Sequence, residues 1–191
     1  MRTFSIRPAL TLRGRAFKGL RGYAGKPFHP PLTDIPIGAY LLGAVFDVLS
    51  TIGSGSGAWR HELWHAGTFV FLGGAAVSVL AAVTGFVDWL TSTQKGTQAR
   101  RTANTHATVM VTVTLLGLAD IVWRLAVYDD RTTPVGIAIL SAAVAALVAV
   151  GATYGGSLVF DYGFNVETAG DSPVWHVSET DVLPGQKSTG P

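Results

Sequence analysis

Residues 66–87 read AGTFVFLGGAAVSVLAAVTGFV, 22 positions without a charged side chain, and residues 134–160 read PVGIAILSAAVAALVAVGATYGGSLVF, 27 positions likewise uncharged. A helix crosses the hydrocarbon core of a bilayer with about 20 mostly apolar residues, so both stretches are long enough to span it. A helix buried in a soluble bundle shows a polar stripe at a period of about 3.6 residues, and neither stretch has one. Two further apolar runs flank them. Residues 35–53 carry a single charge, Asp47, and residues 103–128 are interrupted by His106, Asp120 and Arg124. The reading is an all-α, integral membrane four-helix bundle. Pro30, Pro31 and Pro36 predict a non-helical lead-in from His29, with regular helix from Ile37.

Composition agrees. Charged residues are 14% of the 191, against roughly 25% in a soluble domain, and mean hydropathy is +0.37. With no cysteine, the chain itself supports no disulfide scaffold, iron–sulfur cluster, thiolate zinc site or cysteine nucleophile. A cleaved signal peptide is not expected, because more than 30 residues precede the first apolar run. The sequence divides into a basic segment (1–28), a four-helix transmembrane domain (29–161) and an acidic tail (162–191).

Charge asymmetry sets the orientation. Residues 1–33 hold seven basic residues (Arg2, Arg7, Arg13, Arg15, Lys18, Arg21, Lys26) and no acid. The loop between helices two and three holds Lys95, Arg100 and Arg101, again without an acid. The positive-inside rule then predicts both termini and this loop in the cytoplasm of a multi-pass cell-membrane protein. The basic segment is expected to meet anionic headgroups, at about 1 kcal/mol per residue near the surface, rather than nucleic acid. Ala39/Gly43, Gly74/Ser78, Ala81/Gly85 and Gly151/Gly155 are small residues four apart, a spacing that lets helix backbones approach closely.

Ionisable groups at membrane depth face the bundle and need partners. The predicted topology gathers His29, Asp34, Asp88, His106 and Asp161 at the cytoplasmic end. Two imidazoles from different helices at one depth are what a bis-histidine b-type haem requires. Asp34 or Asp88 is expected to hold the second ring nitrogen of such a ligand. The outer end gathers Asp47, His61, His65, Asp120 and Arg124. His61-Glu62-Leu63-Trp64-His65 matches H-E-x-x-H, which on a helix sets two imidazoles on one face for a divalent metal. Asp47 and Asp120 lie at the same predicted level and are candidates to complete that set. As a metallopeptidase signal the motif is weak, because it falls at a loop–helix junction and lacks a downstream ligand at the usual spacing. Asp120 and Arg124, one turn apart, are expected to pair, with Asp47 within reach. No phosphate-cradling glycine loop is present.

Several blocks together resemble a known family. They are His29-Pro30-Pro31-Leu32-Thr33-Asp34-Ile35-Pro36-Ile37-Gly38, then Asp47, Thr84-Gly85-Phe86-Val87-Asp88-Trp89, Asn104-Thr105-His106 and Gly155-Gly156-Ser157-Leu158-Val159-Phe160. Over roughly residues 20–165 the chain is similar to the bacterial predicted membrane family called domain of unknown function 2231. The resemblance implies a cytoplasmic-membrane protein without a stated activity. Relatives with a comparable opening are sometimes fused to a Rieske-type iron–sulfur domain. Residues 173–185 look like the first strand of such a domain, without its ligand motif. These readings lead to a small membrane redox protein of cytochrome b type, an electron-transfer accessory with His29 and His106 as axial ligands. Its partners are expected to be other membrane subunits or a Rieske-type redox protein. The alternatives are a cofactor-free structural or assembly subunit of a larger complex, and a metal-binding or transport protein using the outer His/Asp layer.

Overall fold

The computed structural model of the chain describes residues 19–22, 27–55 and 57–166. Most of the basic segment and of the acidic tail lies outside these residues. Four helices follow one another: α1 (His29–Ile52), α2 (Gly57–Ser92), α3 (Gln98–Ala126) and α4 (Val135–Phe160). No strand occurs among the described residues, only an isolated bridge between Arg21 and Pro27. The helices pack as a ring in which α1 touches α2 and α4, and α3 touches α2 and α4. Helices α1 and α3 are therefore diagonal partners, facing each other across the axis.

The expected non-helical lead-in to α1 is corrected: the helix starts at His29. Pro30 and Pro31 occupy its first positions, where a helix leaves its N–H groups without internal acceptors, so the missing donors cost nothing there. Pro36 lies inside the helix, buried. Helix α2 runs well beyond the apolar stretch. Its 36 residues reach about 54 Å at 1.5 Å per residue, against a hydrocarbon thickness of about 30 Å. His61 to His65 accordingly sit within the helix, not at a loop–helix junction.

All four helices are long and apolar enough to span a membrane, and the outside of the bundle is greasier than water would permit. Phe160 is 86% exposed, Ile52 73% and Val122 70%, a surface that belongs against lipid tails. The bundle's own core is small: Tyr40, Phe71, Ala75, Val113, Ile121, Val144 and Val148. Absent Cβ atoms bring the helices together around it. A methyl at Gly74 would sit 2.8 Å from Ala39 Cβ, and one at Gly117 would sit 2.6 Å from the Tyr40 hydroxyl. The predicted small-residue spacing is thus a real packing device, with α2 closing on α1 through it.

The diagonal is bridged by Arg124. Its Nη1 donates to Asp47 Oδ1 at 3.0 Å and its Nη2 to Asp47 Oδ2, while Nε donates to Asp120 Oδ1. All three side chains have no exposed surface. The guanidinium also lies over the Phe71 ring, 4.3 Å from its centre. Thr133, just before α4, donates its hydroxyl to Asp47 at 3.3 Å and its backbone N–H to Ser50 Oγ at 3.0 Å. Arg60 closes the α1–α2 corner by donating to the carbonyls of Ser50 and Thr51.

Removing one member of such a cluster strands buried charge, typically at about 3–5 kcal/mol, whereas replacing all members with apolar or neutral groups is often neutral. Arg124→Met should lower the unfolding free energy of detergent-solubilised protein by about 3–5 kcal/mol. The triple variant with Asp47→Asn and Asp120→Asn should recover most of it. An Arg124→Met variant as stable as the parent would show that the bridge does not hold the bundle.

Candidate functional site

At the end of the bundle opposite Arg124, a cavity of about 1210 Å³ opens among the helices. Ligand pockets are commonly about 300–1,000 Å³, so this space is large by that measure, and it is partly open to the surroundings rather than sealed. Its walls are mainly apolar, and they include four of the five residues expected at this end, His29, Asp34, Asp88 and His106, but not Asp161. The sequence placed these side chains at one level from topology alone, and the structure brings them to one cavity.

The two imidazoles are held alike. His106 Nδ1 lies 2.8 Å from the Gly151 carbonyl oxygen. A carbonyl only accepts, so Nδ1 carries the hydrogen and Nε2 of the neutral ring keeps its lone pair. His29 Nδ1 lies 3.2 Å from Thr84 Oγ1. The Thr84 hydroxyl is itself directed at the carbonyls of Leu80 and Ala81, at 3.1 and 3.0 Å. Its hydrogen is committed there, so it accepts from His29 Nδ1–H, and again Nε2 keeps the lone pair. The second-nitrogen partners are therefore Thr84 and Gly151, not the expected Asp34 or Asp88. Asp88, buried, instead accepts from the Leu20 backbone N–H at 3.1 Å and ties the incoming chain to α2.

Glycines make room for both rings. A methyl at Gly85 would meet His29 Cε1 at 2.7 Å, and one at Gly155 would meet His106 Cε1 at 3.1 Å. Each histidine thus lies in a bed on its hairpin partner, His29 on α2 and His106 on α4. Sequence reasoning saw Ala81/Gly85 and Gly151/Gly155 as packing only. Thr84 and the Gly151 carbonyl were missed as well, although Thr84 stands in one of the blocks quoted for the family. The rim between α2 and α3 is stiffened by Arg100, whose guanidinium stacks 3.7 Å over the Trp89 ring, and by Trp89 Nε1 donating to Asn104 at 2.7 Å.

The predicted outer set does not gather into one site. Asp47 and Asp120 are engaged by Arg124. His61 and His65 face each other with ring centres 4.2 Å apart, and His65 stacks flat on Tyr128 at 4.5 Å. His61 Nδ1 is buried without a hydrogen-bond partner. Among the described residues, no three His, Cys, Asp or Glu side chains are placed to hold one metal.

One regularity links the two ends. The 77-residue separation of Asp47 from Arg124 is also that of His29 from His106. Helices α1 and α3 therefore carry their histidines and their ion pair in the same register.

The fold and site define a multi-pass, all-helical membrane protein whose four-helix bundle carries a paired-histidine cavity at one end. The chain belongs to the predicted membrane protein family DUF2231, which matches residues 25–168. No curated protein and no solved structure matches it.

The tautomers are directly checkable. Nitrogen-15 NMR of protein labelled at histidine should show His29 and His106 protonated at Nδ1 and bare at Nε2. Thr84→Val should disturb the His29 signal alone. Nε2–H signals from either residue would contradict the arrangement.

Proposed function

We propose that the protein is a b-type haem-binding electron-transfer component of the membrane, in which His29 and His106 would hold the haem iron. The observation that supports this most is the pair of Nδ1-anchored imidazoles, on diagonal helices, lining one large apolar cavity. A ligating histidine usually gives its other ring N–H to a carbonyl or similar acceptor, which fixes the ring and raises its basicity. Both rings have that anchorage here. The donor chemistry suits iron in a porphyrin, since bis-imidazole ligation by neutral rings is a standard haem coordination. Haem iron so bound supplies one-electron transfer. The chain's part is to orient the two rings, to keep water from them with apolar walls, and to leave space through Gly85 and Gly155. The partner this reading implies is a further membrane subunit or a Rieske-type redox protein. A second reading, a divalent metal at His61 and His65, draws support from the unpartnered His61 Nδ1.

The test is an oxidised-minus-reduced optical spectrum of the detergent-purified chain, with metal analysis on the same sample. A sharp reduced α-band with about one iron per chain is expected, and His29→Ala or His106→Ala should each abolish it. Iron-free, colourless protein would overturn the haem reading, as would an unchanged band in both variants. A different metal that is lost in His61→Ala would favour the second reading. Metal-free protein would point instead to a structural subunit.

A further inference from the structure

The cluster that bridges α1 and α3 holds two carboxylates and one guanidinium, all sealed from the surface. Its hydrogen bonds are unequally shared. Asp47 uses both oxygens, gripped by the Arg124 fork and by the Thr133 hydroxyl. Asp120 uses only Oδ1, toward Arg124 Nε. Its Oδ2 is buried and has no hydrogen-bond partner.

The surroundings offer nothing to fill that gap. From α1 come Asp47 and Tyr40, and the Tyr40 hydroxyl donates to Ser78 at 3.0 Å. Helix α2 presents the rings of Phe71 and Trp64 to Arg124. Its His65 is stacked on Tyr128, and its one buried charged group, Asp88, is at the other end of the bundle. Helix α3 supplies Arg124 itself. From the α4 side, Thr133 is engaged with Asp47, and the Ser141 hydroxyl donates to the Ala138 carbonyl. With both carboxyls ionised, the cluster would carry one net negative charge, with one carboxylate oxygen unpartnered by any protein group and all three side chains buried. An unpaired buried charge is far more costly there than a neutral polar group. A proton on Asp120 Oδ2 removes the charge and makes the cluster neutral.

We infer that the Asp47–Arg124–Asp120 cluster is a proton-binding site, with Asp120 Oδ2 holding the proton and Asp47 serving as the ionised partner of Arg124. Bond for bond, the bound species is an aqueous proton taken up by one carboxylate oxygen, with no other reactant. The site is separate from the cavity. His106 and Asp120 are 14 residues apart on α3, about 21 Å at 1.5 Å per residue, and the assignment does not depend on haem.

Infrared difference spectroscopy of the full chain in liposomes at neutral pH tests it. The carbonyl stretch of an un-ionised carboxyl should be present in the parent and absent in Asp120→Asn, which keeps the Oδ1 acceptor for Arg124. It should also vanish in Asp47→Asn, because Arg124 then has only Asp120 to pair with and draws it into the ionised form. Asp88→Asn, the other buried carboxyl, should leave the band in place. If Asp120→Asn fails to fold, Asp120→Glu should shift the band in frequency. Absence of the band in the parent would overturn the assignment. So would its persistence in Asp120→Asn, an unshifted band in Asp120→Glu, or its loss in Asp88→Asn.

Discussion

Helices α1 and α3 lie diagonally across the bundle, meeting where the Tyr40 ring rests on Gly117 and where a single guanidinium spans the gap. Arg124 reaches across the bundle axis to Asp47 while holding Asp120 on its own helix. In a bilayer the hydrophobic effect does not drive helices together, since lipid is as apolar as the side chains; close packing and interhelical polar contacts must do so. The core is correspondingly modest, one tyrosine, one phenylalanine and a few small aliphatics, and much of each helix faces outward. A polar bridge in that setting specifies register. Sliding α3 by one turn against α1 would carry Arg124 and Asp120 together away from Asp47 and leave that buried carboxylate uncompensated, so the bridge sets the level of the two helices.

That register accounts for the placement of the histidines. Asp47 follows His29 by the same number of residues as Arg124 follows His106, and the interval is about 27 Å of helix at 1.5 Å per residue. This is close to the roughly 30 Å of a hydrocarbon core. The ionisable groups are therefore confined to two layers near the two interfaces, and the middle of the bundle is left to Tyr40, Phe71, Val113, Val144 and Val148. Locking the ion-pair layer brings the imidazoles level at the far end of the same two helices.

The spans were legible because two of them have no charge for more than 20 residues. The helix ends were less so. Pro30 and Pro31 read as helix breakers, but the first turn is where a missing N–H does no harm. The nine residues from Gly57 to His65 are too polar for a hydropathy window, yet they continue α2 because nothing in them interrupts it. The pairing of His29 with His106 followed from charge-derived topology, and the Asp47–Arg124–Asp120 grouping from depth and spacing. The holders of the imidazoles were hidden. The Gly151 carbonyl is backbone, which every residue possesses, and Thr84 is an ordinary helix hydroxyl until the fold turns it toward His29. Asp34 and Asp88 were the chemically obvious partners, but Asp88 lies where the incoming chain's backbone reaches it first.

The way each imidazole is anchored has a mechanical side. His29 is held by Thr84 on α2, and His106 by Gly151 on α4, so each ring, its anchor and its glycine bed belong to one helical hairpin. The orientation of each ring is therefore set within its own hairpin, and a substitution that loosens one histidine leaves the hydrogen bond of the other in place.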